Sequence, residues 1–169
     1  MTGRKLIVMR HAKAEPFAST DVDRRLTERG RADAAEAGSF LAGIGTVPDH
    51  AVVSAAVRAR ETWAAVAAAS GSAAELVIEG ALFSAGTEQV LEALRRVPAE
   101  AERVMLIGHN PAVTYLVHLL EDGHGEPAAV DEMLRGYPPA ALTVFDVDAA
   151  WQDLGPETGR VVDFHVGRG

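Results

Sequence analysis

Three short apolar runs set the frame for this chain. Residues 6–9 read Leu-Ile-Val-Met, residues 50–54 read His-Ala-Val-Val-Ser, and residues 104–107 read Val-Met-Leu-Ile. Runs of four or five apolar residues bounded by polar or turn-forming positions predict strands, and their uniform apolarity fits burial on both faces of a sheet. Helical patterns lie between them. Thr27 predicts an N-cap with Glu28 at the positive end of the helix dipole, Ala32, Ala35, Phe40 and Leu41 follow at helical spacing, and Gly43 with Gly45 end the element. An Ala-rich helix opens beyond Ser54 and runs to about Ser70. A third strand is predicted at 76–79, then a helix over 87–97 capped by Thr87 and stopped by Pro98. Asn110 as N-cap and Pro111 as first residue predict a helix reaching Leu120. Residues 121–127 read as a flexible connection, and 142–147 and 160–166 as the last two strands. This alternation predicts an α/β protein: a three-layer α/β/α sandwich with a mostly parallel central sheet and an antiparallel C-terminal edge strand. No linker or repeat divides residues 1–169, so the expectation is a single domain.

The carboxyl ends of parallel strands open into the crevice where ligands bind. The first run ends in Arg10 and His11, the second leads through Ser54 to Arg58 near a helix amino end, and the third ends in Gly108 and His109. An Arg-His pair at one strand end is compatible with ordinary surface. Arg58 at a second end and His109 at a third change the balance, because arginine presents a planar fork of donors to phosphate oxygens and imidazole is the side chain suited to nucleophilic work near neutral pH. If the three ends converge, the pocket holds two Arg and two His, a constellation for binding a dianionic phosphoryl group. The intervening loop, residues 14–23 and the arginines just beyond, carries Asp21, Asp23, Arg24 and Arg25, either plain solvated charge or the rim of such a pocket.

Other classes are excluded or disfavoured. The chain has no cysteine, which removes disulfides, thiolate metal sites and thiol catalysis. Its six histidines show no His-Glu-x-x-His pair, so no metal is expected, and nothing calls for a cofactor. A formal net charge of −8 disfavours nucleic acid and anionic membrane as partners. The amino-terminal apolar run is broken by Arg10 and His11 before it could serve as a signal sequence, and no stretch approaches the length of a membrane span, which predicts a cytoplasmic protein.

Four ordered motifs, Arg10-His11-Ala12, Leu26-Thr27-x-x-Gly30, Ser54-x-x-x-Arg58-Ala59-x-x-Thr62 and Gly108-His109-Asn110, together resemble the histidine phosphatase superfamily, whose signature is Arg-His-Gly after the first strand. The chain looks most like the small SixA-type phosphohistidine phosphatases. It departs from the pattern at Ala12, where the signature has Gly, and at Arg25 and Ala55, where Pro is common. The resemblance implies that His11 is the nucleophile of a covalent phosphohistidine intermediate, with Arg10, Arg58 and a protonated His109 binding the phosphoryl oxygens. Relatives that cleave phosphomonoesters use a carboxylate from the region after the third strand to protonate the leaving alkoxide. In residues 82–88 Glu88 is the one candidate, and its place in a first helical turn equally suits dipole stabilisation alone. A weak acid favours a P–N bond, since imidazole leaves more readily than an alkoxide, and the lack of a long insertion favours a histidine-phosphorylated protein as substrate. The implied activity is therefore a metal-independent phosphohistidine phosphatase. The alternatives are a phosphatase for a small phosphomonoester and a non-catalytic phosphate- or phosphoprotein-binding module.

Overall fold

The computed structural model describes residues 3–84 and 86–169, so Met1 and Thr2 of the amino-terminal stretch and Ala85 of the 82–88 segment lie outside the description. Six strands, β1 (Arg4–Arg10), β2 (His50–Ser54), β3 (Glu75–Glu79), β4 (Arg103–Gly108), β5 (Ala141–Val147) and β6 (Gly159–Val166), form one sheet in the order β3-β2-β4-β1-β5-β6. The first four are mutually parallel, and β5 pairs antiparallel with both β1 and β6. The expected layered α/β architecture is present, with the reversal of direction falling one strand inside the C-terminal edge.

Strand alternation divides β1 between two cores. Leu6 and Val8 face one cluster, built with Leu91, Leu94, Leu116, Val117, Phe145 and Trp151. Ile7 and Met9 face the other, with Ala34, Leu41, Trp63 and Val66. The helices therefore sort by face. α1 (Glu28–Gly43) and α2 (Val57–Ser70) cover one side, while α3 (Thr87–Arg95), α4 (Ala112–Leu120) and α5 (Pro127–Arg135) cover the other. Fully burying one such Leu or Val contributes roughly 1.5–3 kcal/mol.

Local chemistry explains most boundaries. Thr27 caps α1 by accepting a hydrogen bond from the Gly30 amide at 2.9 Å. Beyond Gly43 the chain closes off through Gly45, whose φ of 70° lies in the left-handed region. Two caps differ from the sequence expectation. Gly86 rather than Thr87 is the N-cap of α3, where the Gln89 side chain accepts from the Gly86 amide at 3.0 Å. α4 starts at Ala112, one residue later than expected, and Asn110 Oδ1 accepts from the Thr114 amide at 3.2 Å. Among the described residues no helix is long and apolar enough to cross a membrane.

Gly30 is where the fold meets the strand-end loop. A Cβ built there would lie 2.1 Å from the Lys13 carbonyl oxygen, and that carbonyl also accepts from the Thr27 amide at 2.9 Å. Only glycine lets α1 approach the loop after His11 this closely. Gly30→Ala is expected to cost about 2–3 kcal/mol through overpacking against immobile backbone. Urea unfolding of the variant measures it, and a change within error would refute the packing account.

Candidate active site

The ends of β2, β4 and β1 are adjacent in the sheet, and this brings together the four side chains expected from the sequence. The β1–β4 ladder pairs Arg10 with Gly108, and the His11 amide extends it with a 3.1 Å bond to the Gly108 carbonyl. The His11 and His109 rings lie 5.2 Å apart between centroids. Arg58, the second residue of α2, completes the group from the β2 side. A cavity of about 310 Å³ is lined by Arg10, His11, Arg58 and His109 together with Lys13 and Arg24. Among the described residues no group of three or more His, Asp or Glu is placed to hold a metal ion.

His11 is 8% exposed, and its Nδ1 lies 2.7 Å from the Ala12 carbonyl oxygen. A carbonyl can only accept, so Nδ1 carries the proton and Nε2 is left with its lone pair. Burial, augmented by the nearby charges of Arg58 and Arg10, pushes the His11 pKa down to about 3, against the pull of its Ala12 bond. The backbone here is fixed from behind. The Ala12 amide donates to Thr62 Oγ1 at 3.0 Å, the Thr62 hydroxyl donates to the Arg58 carbonyl at 2.7 Å, and the Ala140 amide lies 3.2 Å from the His11 carbonyl. Ala12, in the position of the signature glycine, is fully buried in the core that faces α1 and α2.

His109 corrects one expectation. Burial first, then the Arg58 charge, lowers its pKa to about 4, which favours the neutral ring over the protonated one expected. Its Nε2 is 2.8 Å from Ser54 Oγ, and Ser54 Oγ also accepts from the Ala56 amide at 3.2 Å. A hydroxyl has one proton and two acceptor lone pairs, so this contact accommodates either ring tautomer; with Ser54 donating to Nε2, the imidazole proton sits on Nδ1, where it is free for a ligand.

Arg10 donates through Nη1 to the Tyr137 carbonyl at 3.0 Å, which Asn110 Nδ2 also reaches at 3.1 Å. Tyr137 is itself held by its hydroxyl, bonded to the Val8 carbonyl at 2.6 Å and to Thr143 at 2.9 Å. Arg58 is 5% exposed, with its guanidinium carbon 5.6 Å from the centre of the Phe83 ring. Three buried nitrogens in this cluster have no hydrogen-bond partner among the described residues: Arg10 Nε, Arg58 Nε and His109 Nδ1. Buried polar atoms are rarely left unpaired, and these three fit a group that brings several acceptor oxygens, such as phosphate.

Glu88 is not brought to the cavity. It lies on the first turn of α3 with its carboxylate 3.4 Å from Arg95. The carboxylate nearest the site is Asp21, which bonds Arg58 and Arg24. The Arg24 bond, with help from the Arg58 charge, holds its pKa below the usual carboxylate range, so it stays ionised at neutral pH. Ser54, Thr62, Tyr137 and Asp21 carried no functional signal in the sequence beyond their place in motifs or loop, because their importance lies in partners many residues away.

Comparison with known proteins agrees with this geometry. Residues 6–83 match the histidine phosphatase superfamily (branch 1), and the chain belongs to that family. In structure it resembles a protein provisionally assigned as the phosphohistidine phosphatase SixA of Nakamurella multipartitia, with 30% identity, a TM-score of 0.87, and coverage of 99% of this chain and 98% of that one. A protein with the same provisional assignment from Agrobacterium tumefaciens gives 28% identity and a TM-score of 0.79 over 98% and 99% of the two chains. Among curated sequences, an uncharacterized protein of Mycobacterium tuberculosis is 33% identical over 162 residues, covering 95% of this chain and all of that protein.

The two depressed imidazole pKa values link the site to stability. Below the ordinary histidine value of about 6.5 the unfolded chain takes up protons that native His11 and His109 refuse. Their contribution is therefore full above that pH and is lost as pH falls towards about 4 for His109 and about 3 for His11. The urea midpoint is expected to drop between pH 7.5 and 4.5, and to drop less in His109→Gln. An equal drop in that variant would contradict the burial account.

Proposed function

We propose that the protein is a metal-independent phosphohistidine phosphatase acting on histidine-phosphorylated protein. The observation that carries this reading is the set of three buried, unpartnered nitrogens around a histidine whose tautomer is fixed. His11 Nε2 attacks phosphorus while the P–N bond of the substrate breaks, and the electron pair returns to the departing imidazole. In the form of the substrate that is protonated on its other ring nitrogen, the imidazole leaves neutral and needs no acid at the breaking bond. Arg10, Arg58 and His109, through its Nδ1–H, bind the equatorial oxygens and stabilise the spread charge of the transition state. Water then attacks the phosphoenzyme, the P–Nε2 bond breaks with its pair returning to His11, and the water's protons stay on the phosphate oxygens, so dihydrogen phosphate leaves. The Nδ1–H bond to Ala12 serves both halves: it presents the lone pair for attack, and it keeps the ring protonated on the far side so that His11 can leave in turn.

Two features support a protein histidine over a small phosphomonoester. No carboxylate is among the residues that line the cavity, and Asp21 beside it is held ionised, the wrong state for protonating an alkoxide.

Incubation with a radiolabelled phosphohistidine protein, followed by a rapid quench, is expected to leave a label on the enzyme that survives alkali, is lost in acid and is absent in His11→Ala. Full turnover by His11→Ala would overturn the mechanism. Glu88→Ala is expected to retain activity on both the phosphohistidine protein and p-nitrophenyl phosphate. A loss confined to the latter would restore Glu88 as the acid and favour a phosphomonoester.

A further inference from the structure

The loop between β1 and α1 is folded back as a flap. Ala14 and Leu26 form an antiparallel bridge, the Glu15 amide bonds the Arg25 carbonyl at 2.7 Å, and the tip ends in a single 3-10 turn at Asp21–Asp23. One side chain on that turn joins the flap to the cavity. Asp21 Oδ2 accepts from Arg58 Nη2 at 3.2 Å, Asp21 Oδ1 accepts from Arg24 Nε at 2.8 Å, and the Asp21 carbonyl accepts from Arg58 Nη1 at 2.8 Å. Arg24 is further held by donating to the Glu15 carbonyl at 3.0 Å. Both arginines line the cavity.

We infer that Asp21 is a positioning residue that clasps Arg58 and Arg24 into one two-arginine clamp for the phosphoryl group. The inference rests on the phosphoryl-site reading above. Two guanidinium groups beside one small cavity repel each other, and a carboxylate with one oxygen on each offsets that repulsion while fixing both orientations. With Nη1 and Nη2 of Arg58 each giving one N–H to Asp21, the buried Nε is the guanidinium nitrogen left with no partner among the described residues. Arg58 thus meets the ligand already oriented, so little rotamer freedom is lost on binding. Asp21 is 37 residues from Arg58 in sequence, so this clasp also makes the flap's closed position a condition for a competent Arg58.

Electrostatics and positioning predict opposite signs for removal of the carboxylate. If Asp21 acted only as a negative charge near the cavity, deleting it would strengthen the binding of an anion. If it positions the clamp, deleting it weakens binding despite the added positive charge. Inorganic phosphate binding by calorimetry, on the full chain, reads this directly. For Asp21→Asn, whose single amide oxygen cannot serve both arginines, phosphate affinity and kcat/KM are expected to fall about tenfold or more, with kcat carrying part of the loss and Asp21→Glu restoring part of it. Thermal unfolding of each variant separates this from misfolding, and the double variant Asp21→Asn with Arg24→Gln is expected to lose less than the sum of the two single changes. Phosphate binding as tight as, or tighter than, that of the unaltered protein in folded Asp21→Asn would overturn the clasp while leaving the phosphatase reading intact. Failure of the unaltered protein to bind phosphate at all would overturn both.

Discussion

Parallel pairing of β1 with β4 at their carboxyl ends is the constraint on which the site depends. The bond from the His11 amide to the Gly108 carbonyl carries the ladder one residue past Arg10, so two histidines far apart in sequence leave neighbouring strands side by side. The same end of the sheet receives Ser54 from β2 and the Tyr137–Ala140 turn ahead of β5. Backbone hydrogen bonds place the strand ends, and bonds from Ser54, Asp21 and the Tyr137 carbonyl orient the side chains carried there. This gives the site rigidity without a metal or a disulfide.

Burial then sets the chemistry. An imidazole surrounded by guanidinium groups and taken out of water stays neutral, which suits a nucleophile and still leaves His109 able to donate through its unpartnered nitrogen. The protein as a whole is acidic, at a formal net charge of −8, yet the cavity is lined by four Lys and Arg side chains and no carboxylate. Local concentration of one sign within a body of the other focuses the field where the anion binds.

The strand-end residues were legible because apolar runs announce strands and the residues just after them fall at the crevice. Arg10, His11, Arg58 and His109 could be found that way, as could β2 and the Thr27 cap. α5 was not: it is a short helix that starts at Pro127, directly behind the glycine-containing stretch that reads as a flexible connection. Asp21 looked like one charge among several in a loop, because its meaning comes from Arg58, across a tertiary contact. The charge state of His109 was equally hidden, since it follows from depth of burial and not from residue type. Glu88 shows the converse case, where position in sequence suggested an acid and the fold turned it towards Arg95.

The central place of β1 has a consequence for how the molecule is made. β1 bonds β4 on one side and β5 on the other, so its partners lie in residues 103–108 and 141–147. The Ala140 amide that meets the His11 carbonyl sits beside an Ala140 carbonyl bonded by the Gly167 amide. A chain emerging from the ribosome therefore carries this apolar strand unpaired until nearly a hundred further residues have followed. Ala140, which holds the His11 carbonyl, is in turn tied by Gly167 just beyond β6. A chain cut before residue 103 lacks both β4, the parallel partner of β1, and His109, so it holds neither the ladder nor the second imidazole of the cavity.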